Sequence, residues 1–293
     1  MKKLFIIMLL MFLIGMFLAQ ASNPSYSPKP QIIDLATGVS LEYAEQGEKS
    51  GTTILFIHGY TDSWHSFEHV INRLPGNIHA IAISLRGHGN SSKHNTSYNL
   101  PDFAADLAAF IKTKNLKNVI LAGHSLGGLV VQQFELLYPQ LTKAVIIMGS
   151  DASFKDNAGI PEFVSEINKL TDPIPYEFAA AFQKSTVYKP VAGEHMEMFI
   201  AETLKVPAHV WKSAATSLLT INFTKELTQV NKPCLIVWGD KDEICSKDDQ
   251  LNLKVCIKNS KLIIYEGTGH GLHWEDPQRF VKDLLEFINQ LPV

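Results

Sequence analysis

A serine set between glycines is the first feature of this sequence with chemical consequence. Gly123-His124-Ser125-Leu126-Gly127 follows the apolar run 119–122 and precedes the helix-forming Leu129-Val130-Val131-Gln132. A sharp turn between strand and helix raises a serine hydroxyl at its apex, and flanking glycines remove the Cβ atoms that would strike the crossing chain. The turn also puts Ser125 at a helix N-terminus, where the Leu126 N–H faces the oxygen of a carbonyl under attack. A serine hydroxyl is a poor nucleophile at neutral pH, so it needs a base that is itself oriented by a carboxylate.

Two later segments offer both groups. The run 262–265 is followed by Glu266-Gly267-Thr268-Gly269-His270-Gly271, which sets His270 on a glycine-flanked loop just past a strand. His273, in Leu272-His273-Trp274, is the competing base and reads better as a packed residue. The run 234–238 leads into Gly239-Asp240-Lys241-Asp242-Glu243, where Asp240 suits a turn and Asp242 suits the orienting acid. Asp151, after Met148-Gly149-Ser150, is a third carboxylate in a position to serve. Asp242 is preferred because its loop directly follows the strand next in sequence to the one carrying His270.

Strands must hold these loops. Runs at 53–57, 78–83, 119–122, 144–148, 234–238 and 262–265 are nearly continuous in apolar residues, as strands covered on both faces are. Between them, Phe103, Leu107, Phe110 and Ile111 recur at helical spacing, as do Phe280, Leu284, Phe287 and Ile288. The alternation predicts a mostly parallel sheet with helices on both faces. It breaks at 151–221, where aromatics are scattered among helix formers. That segment is read as a helical cap inserted into a core formed by 31–150 and 222–293. Its aromatics, with Tyr60 and Trp64 on the facing loop, are expected to border the substrate.

Taken together, the order Ser125, Asp242, His270 and the motifs Phe56-Ile57-His58-Gly59-Tyr60, Arg86-Gly87-His88-Gly89-Asn90-Ser91, Gly239-Asp240-Lys241-Asp242 and Gly269-His270 resemble the α/β-hydrolase superfamily. Over residues 31–290 the likeness is to its small esterase and haloperoxidase-like branch, which includes carboxylesterases. The resemblance implies the α/β-hydrolase fold and a serine hydrolase acting on a small-molecule ester without a cofactor. It also implies that the Tyr60 N–H is a second oxyanion donor opposite Leu126. Ser84 departs from the pattern, standing where many relatives carry Asp before the Arg-Gly-His-Gly turn. Alternatives within the superfamily are a lactone, an amide or a carbon–carbon bond as target, perhydrolase activity, or a non-catalytic binding role.

Composition narrows the partners. With 26 Lys and Arg against 29 Asp and Glu, the chain has no global positive field to attract nucleic acid. His65-Ser66-Phe67-Glu68-His69 matches a zinc-protease pattern, but no third ligand stands at a suitable spacing, so no metal is expected. Lys2-Lys3, the uncharged run 4–19 and Ala19-Gln20-Ala21 read as a cleavable signal peptide over 1–21, followed by a proline-rich leader over 22–30. The protein is therefore expected to be exported, periplasmic or secreted; an N-terminal membrane anchor is the alternative. The sequence does not specify an oligomeric state. Three cysteines allow at most one internal disulfide, which would join Cys234 to Cys256.

Overall fold

An apolar residue at every position of a strand demands cover on both faces, and the computed structural model supplies it. The structure describes residues 28–155, 157 and 159–292. The expected signal peptide and the leader up to residue 27 lie outside these residues. Eight strands, β1 (Gln31–Asp34), β2 (Ser40–Gln46), β3 (Thr52–Ile57), β4 (Ile78–Ile83), β5 (Val119–His124), β6 (Thr142–Met148), β7 (Cys234–Gly239) and β8 (Ser260–Tyr265), form one sheet in the order β1-β2-β4-β3-β5-β6-β7-β8. From β4 to β8 every neighbouring pair is parallel, whereas β2 runs antiparallel to both β1 and β4.

Side chains alternate between two cores, as the two-residue period of a strand requires. Leu55, Ile57, Leu121, Val145 and Ile147 enter one core; it is covered by helices α2 (Leu100–Thr113) and α3 (Leu126–Leu137). Ile54, Phe56, Ile120, Ala122 and Ile146 enter the other, which is covered by the short α1 (Glu68–Ile71) and by a C-terminal helix, Pro277–Asn289. Asn99 and Asp102 form a reciprocal capping box that fixes where α2 begins.

After β6 the chain leaves the sheet for four helices, α4 (Gly159–Ile167), α5 (Tyr176–Ser185), α6 (Gly193–Leu204) and α7 (Ala208–Leu218). An isolated antiparallel bridge between Ser153 and Asn222 closes the base of this excursion. The remaining helices are α8 (Lys247–Cys256), α9 (Leu272–Glu275) and α10, the Pro277–Asn289 helix already noted. Among the described residues no helix is long and apolar enough to cross a membrane.

The order of the sheet reverses at β3: the chain moves outward to β4, then returns to β5 on the other side. Open α/β sheets bind ligands in the crevice at such a reversal, outside the C-terminal ends of the strands. The loops after β3 and β5 carry Tyr60 and Ser125. Of the two states open to the cysteines, the structure shows the unpaired one: Cys234, Cys245 and Cys256 are all free and buried. They sit in the core as small apolar residues, and Cys256 Sγ faces Asn252 Oδ1 at 3.9 Å rather than Cys234.

Candidate active site

Ser125 has φ 52° and ψ −119°, a left-handed backbone that a non-glycine residue adopts only at a cost. The surroundings enforce it. A Cβ at Gly123 would lie 2.2 Å from the Gly127 carbonyl oxygen, and one at Gly127 would lie 2.2 Å from that of Ile57. The Ser125 N–H donates to the Met148 carbonyl at 2.9 Å, pinning the turn to β6. Helix α3 starts at the next residue. Among the described residues neither the Leu126 N–H nor the Tyr60 N–H donates to a backbone carbonyl, and both residues border the same cavity as Ser125.

The loops after β7 and β8 bring a carboxylate to an imidazole. His270 Nδ1 donates to Asp242 Oδ2 at 2.8 Å, while Asp242 Oδ1 accepts the Ile244 and Cys245 amides at 2.8 and 3.0 Å. Burial alone would raise the Asp242 pKa. The charge and hydrogen bond of His270, joined by the two amides, outweigh it and hold this carboxyl below its usual range. His124 Nε2 donates to the His270 carbonyl at 3.0 Å, and the Gly271 N–H donates to the Thr186 carbonyl at 2.8 Å, so the loop is fixed from core and cap alike. Asp240 ties the two loops together, accepting the Gly267 N–H at 2.6 Å.

The competing residues have other partners. Asp151 accepts the Ala152 N–H at 2.5 Å; burial and the nearby Asp249 push its carboxyl up to about 6. His273 is buried, stacked on Phe67 and hydrogen-bonded with Ser66 Oγ at 3.1 Å. Of the zinc-like motif, His65 hydrogen-bonds with Glu68 at 2.7 Å and the His69 ring lies against His195, so the two imidazoles face different neighbours. Asp242, Cys245 and His270 present donor atoms within 4.8 Å of one another. Burial, with Asp242 beside it, pushes the Cys245 thiol well up, and Asp242 and His270 are already bonded to each other.

A cavity of about 380 Å³ opens over Ser125 and His270. Tyr60, Leu126, Leu129 and Trp274 form its core side, with Phe154, Ile160, Phe163, Phe182 and Leu218 opposite. Tyr60 donates its hydroxyl to the Trp211 carbonyl at 2.6 Å and packs edge-on against Phe182. Trp64 does not border the cavity, contrary to expectation. Ser63 caps a short 3-10 turn, Trp64–Phe67, which carries the indole into the second core, where it is 1% exposed. Trp274 supplies an indole in the cavity wall instead. Asp62 and Gln183 also border the cavity without having been foreseen. Their mutual hydrogen bond spans 121 residues of sequence, and no local pattern announces it.

Comparison with known proteins agrees with this architecture. A family model described as the alpha/beta hydrolase family matches residues 54–283. The AB hydrolase superfamily protein YisY of Bacillus subtilis is 27% identical over 247 residues, spanning 82% of this chain and 92% of that protein. Lipase 1 of Psychrobacter immobilis is 27% identical over 248 residues, spanning 81% and 77%. The structure of an esterase from Exiguobacterium antarcticum superposes with a TM-score of 0.81 at 21% identity, covering 89% of this chain and all of that one, a likeness of fold.

Proposed function

The chain belongs to the alpha/beta hydrolase family, and we propose that it is an exported serine hydrolase that cleaves a small carboxylic ester through an acyl-enzyme. His270 Nε2 takes the hydroxyl proton of Ser125 as Oγ attacks the ester carbonyl. The Tyr60 and Leu126 amides hold the oxyanion of the tetrahedral intermediate. His270 then gives its proton to the departing alkoxide, leaving the acyl group on Ser125. Water repeats the sequence: His270 accepts its proton, hydroxide adds to the acyl carbonyl, and the acid leaves as Ser125 recovers its hydrogen. Asp242 keeps the Nδ1 proton in place throughout and stabilises the imidazolium.

What supports this reading above all is the 2.8 Å bond between His270 Nδ1 and Asp242, made on the wall of the cavity that Ser125 also borders. Export rests on the sequence, through Lys2-Lys3, the run 4–19 and Ala19-Gln20-Ala21. A fluorophosphonate reacted with protein recovered from the producing cell tests both parts. The intact mass should show one adduct, located on Ser125, on a chain beginning near Ser22. Ser125→Ala should neither take the label nor turn over 4-nitrophenyl acetate. Turnover that survives in Ser125→Ala, or that a chelator abolishes, overturns the mechanism; a mass that includes residues 1–21 overturns cleavage.

A further inference from the structure

The cavity wall is unbalanced in charge, and the proposed reaction makes no use of that imbalance. Asp62 and Glu243 border it, and no Lys or Arg among the described residues does. Glu243 is open to solvent, but Asp62 is only 4% exposed. Its hydrogen-bond partners are neutral: Gln183 Nε2 donates to Oδ1 at 2.8 Å and Ser66 Oγ donates to Oδ2 at 3.5 Å. The same Gln183 nitrogen donates to Thr203 Oγ1 at 2.7 Å, which in turn donates to the Thr61 carbonyl at 3.3 Å. Flipping the amide would break two of these bonds, so the chain of contacts holds the carboxyl in place beneath the Tyr60 loop.

Few titratable groups face Asp62. His270 does so within the site. His124 Nδ1 and Asp62 Oδ2 both border Gly59, where a Cβ would meet them at 2.9 and 3.2 Å, and His273 stands behind Ser66. Burial and the neighbouring His270 push His124 down to about 3, and burial with His124 beside it keeps His273 well below the usual range, so both are neutral near pH 7. From the cap, α5 and α6 present the uncharged Gln183 and Thr203.

Building on the serine-hydrolase reading, we propose that Asp62 determines specificity by turning away esters that bring an anionic group into the cavity, so that the substrates are uncharged and largely apolar around the scissile bond. An anion entering a cavity walled mostly by apolar side chains loses hydration and meets a like charge on a buried carboxyl that solvent screens poorly. A neutral ester meets neither penalty and gains the aromatic and aliphatic walls. Burial pushes the Asp62 carboxyl up to about 7, although Gln183, His270 and Ser66 pull the other way. Rejection of anions therefore strengthens as pH rises through that value and fades as pH falls below it.

The test compares kcat/KM for 4-nitrophenyl hexanoate with that for 4-nitrophenyl hydrogen adipate, a pair equal in chain length and differing by a terminal carboxylate. The ratio cancels the titration of His270, which both esters share. In the unmodified protein the preference for hexanoate should be about ten-fold or more at pH 8 and should shrink several-fold at pH 6. Asp62→Asn, which keeps the size and an acceptor for Gln183, should lower the ratio at pH 8 and remove its pH dependence. A ratio that is the same at both pH values in the unmodified protein overturns the proposal even if Asp62→Asn does not fold. So does a ratio that Glu243→Gln abolishes and Asp62→Asn leaves alone. Turnover of both esters by Ser125→Ala would instead overturn the serine-hydrolase reading on which the proposal rests.

Discussion

A carboxylate beside an imidazole decides which ring nitrogen carries the proton, and here that carboxylate belongs to Asp242. Asp242→Asn replaces an acceptor of two backbone amides and of the His270 proton by a weaker, uncharged one. With the ring free to take the wrong tautomer, kcat should fall by about 10⁴ while far-ultraviolet circular dichroism stays native. Asp151→Asn should keep most of the turnover, since Asp151 bonds to Ala152 and lies against Asp249 instead. That variant also has a stability signature. The native Asp151 carboxyl, raised from 3.8 to about 6, binds its proton more tightly than the unfolded chain does. Destabilisation therefore builds as pH rises between those values and is complete above them. Removing the charge should add about 1 to 2 kcal/mol at pH 8 and almost nothing at pH 4, measured by thermal unfolding. Ser125, Asp242 and His270 were legible in the sequence because each follows a visible apolar strand and sits in a glycine-marked turn. Trp64 misled because Thr61, at φ 64°, and the turn after Ser63 redirect the chain into the opposite core, and neither residue advertises that change of direction.

Among the elements, the six parallel strands could be read as continuous apolar runs, whereas β1 and β2 could not. Ser40-Leu41-Glu42-Tyr43-Ala44-Glu45-Gln46 mixes polar and apolar residues, and β1 is an edge strand largely open to solvent. Antiparallel strands near an edge need no double-sided apolar run. Missing them hid the answer to the one departure from the family pattern. Ser84 lacks the carboxylate that the resemblance implied there, and Glu42 supplies one from β2. Its Oε2 accepts Ser84 Oγ and the Asn90 N–H, each at 3.0 Å, and its Oε1 accepts Asn90 Nδ2 at 2.6 Å. The hairpin thus holds the Arg86-Gly87-His88-Gly89 loop that the helix side holds through the Arg86–Asp106 pair. Ser84→Asp should then be harmful, because it sets a second buried carboxylate against Glu42. We expect a loss of about 2 to 3 kcal/mol in denaturant unfolding, with most of it recovered when Glu42→Gln is added. Equal losses from Ser84→Asp with and without Glu42→Gln would show that the two positions do not share one carboxylate site.

For the molecule as a whole, the question is how a four-helix insertion would govern a site whose proposed reacting groups, Ser125, Asp242 and His270, lie outside it. The extent of the insertion was legible as a loss of strand runs. The direction its side chains face was not, because its scattered aromatics carry no period and meet residues far away in sequence. The cap is tied to the Tyr60 loop through the Trp211 carbonyl and Gln183, and to the His270 loop through the Thr186 carbonyl, so it can shape the cavity without adding a reacting group. Three of its phenylalanines then divide into two kinds. Phe154 and Phe182 border the cavity, whereas Phe178 packs edge-on against Trp211, with ring centroids 5.7 Å apart. Phe154→Ala and Phe182→Ala enlarge the space available to an acyl or alkoxyl chain. Either should raise kcat/KM for 4-nitrophenyl octanoate relative to the acetate by about ten-fold, the effect expected when a pocket gains room for a few methylenes. Phe178→Ala leaves that space alone and empties a packed site, so it should cost about 2 to 3 kcal/mol of stability and lower both esters by the same factor. Proportional losses on both esters in all three variants would mean that the cap covers the site without selecting what enters it.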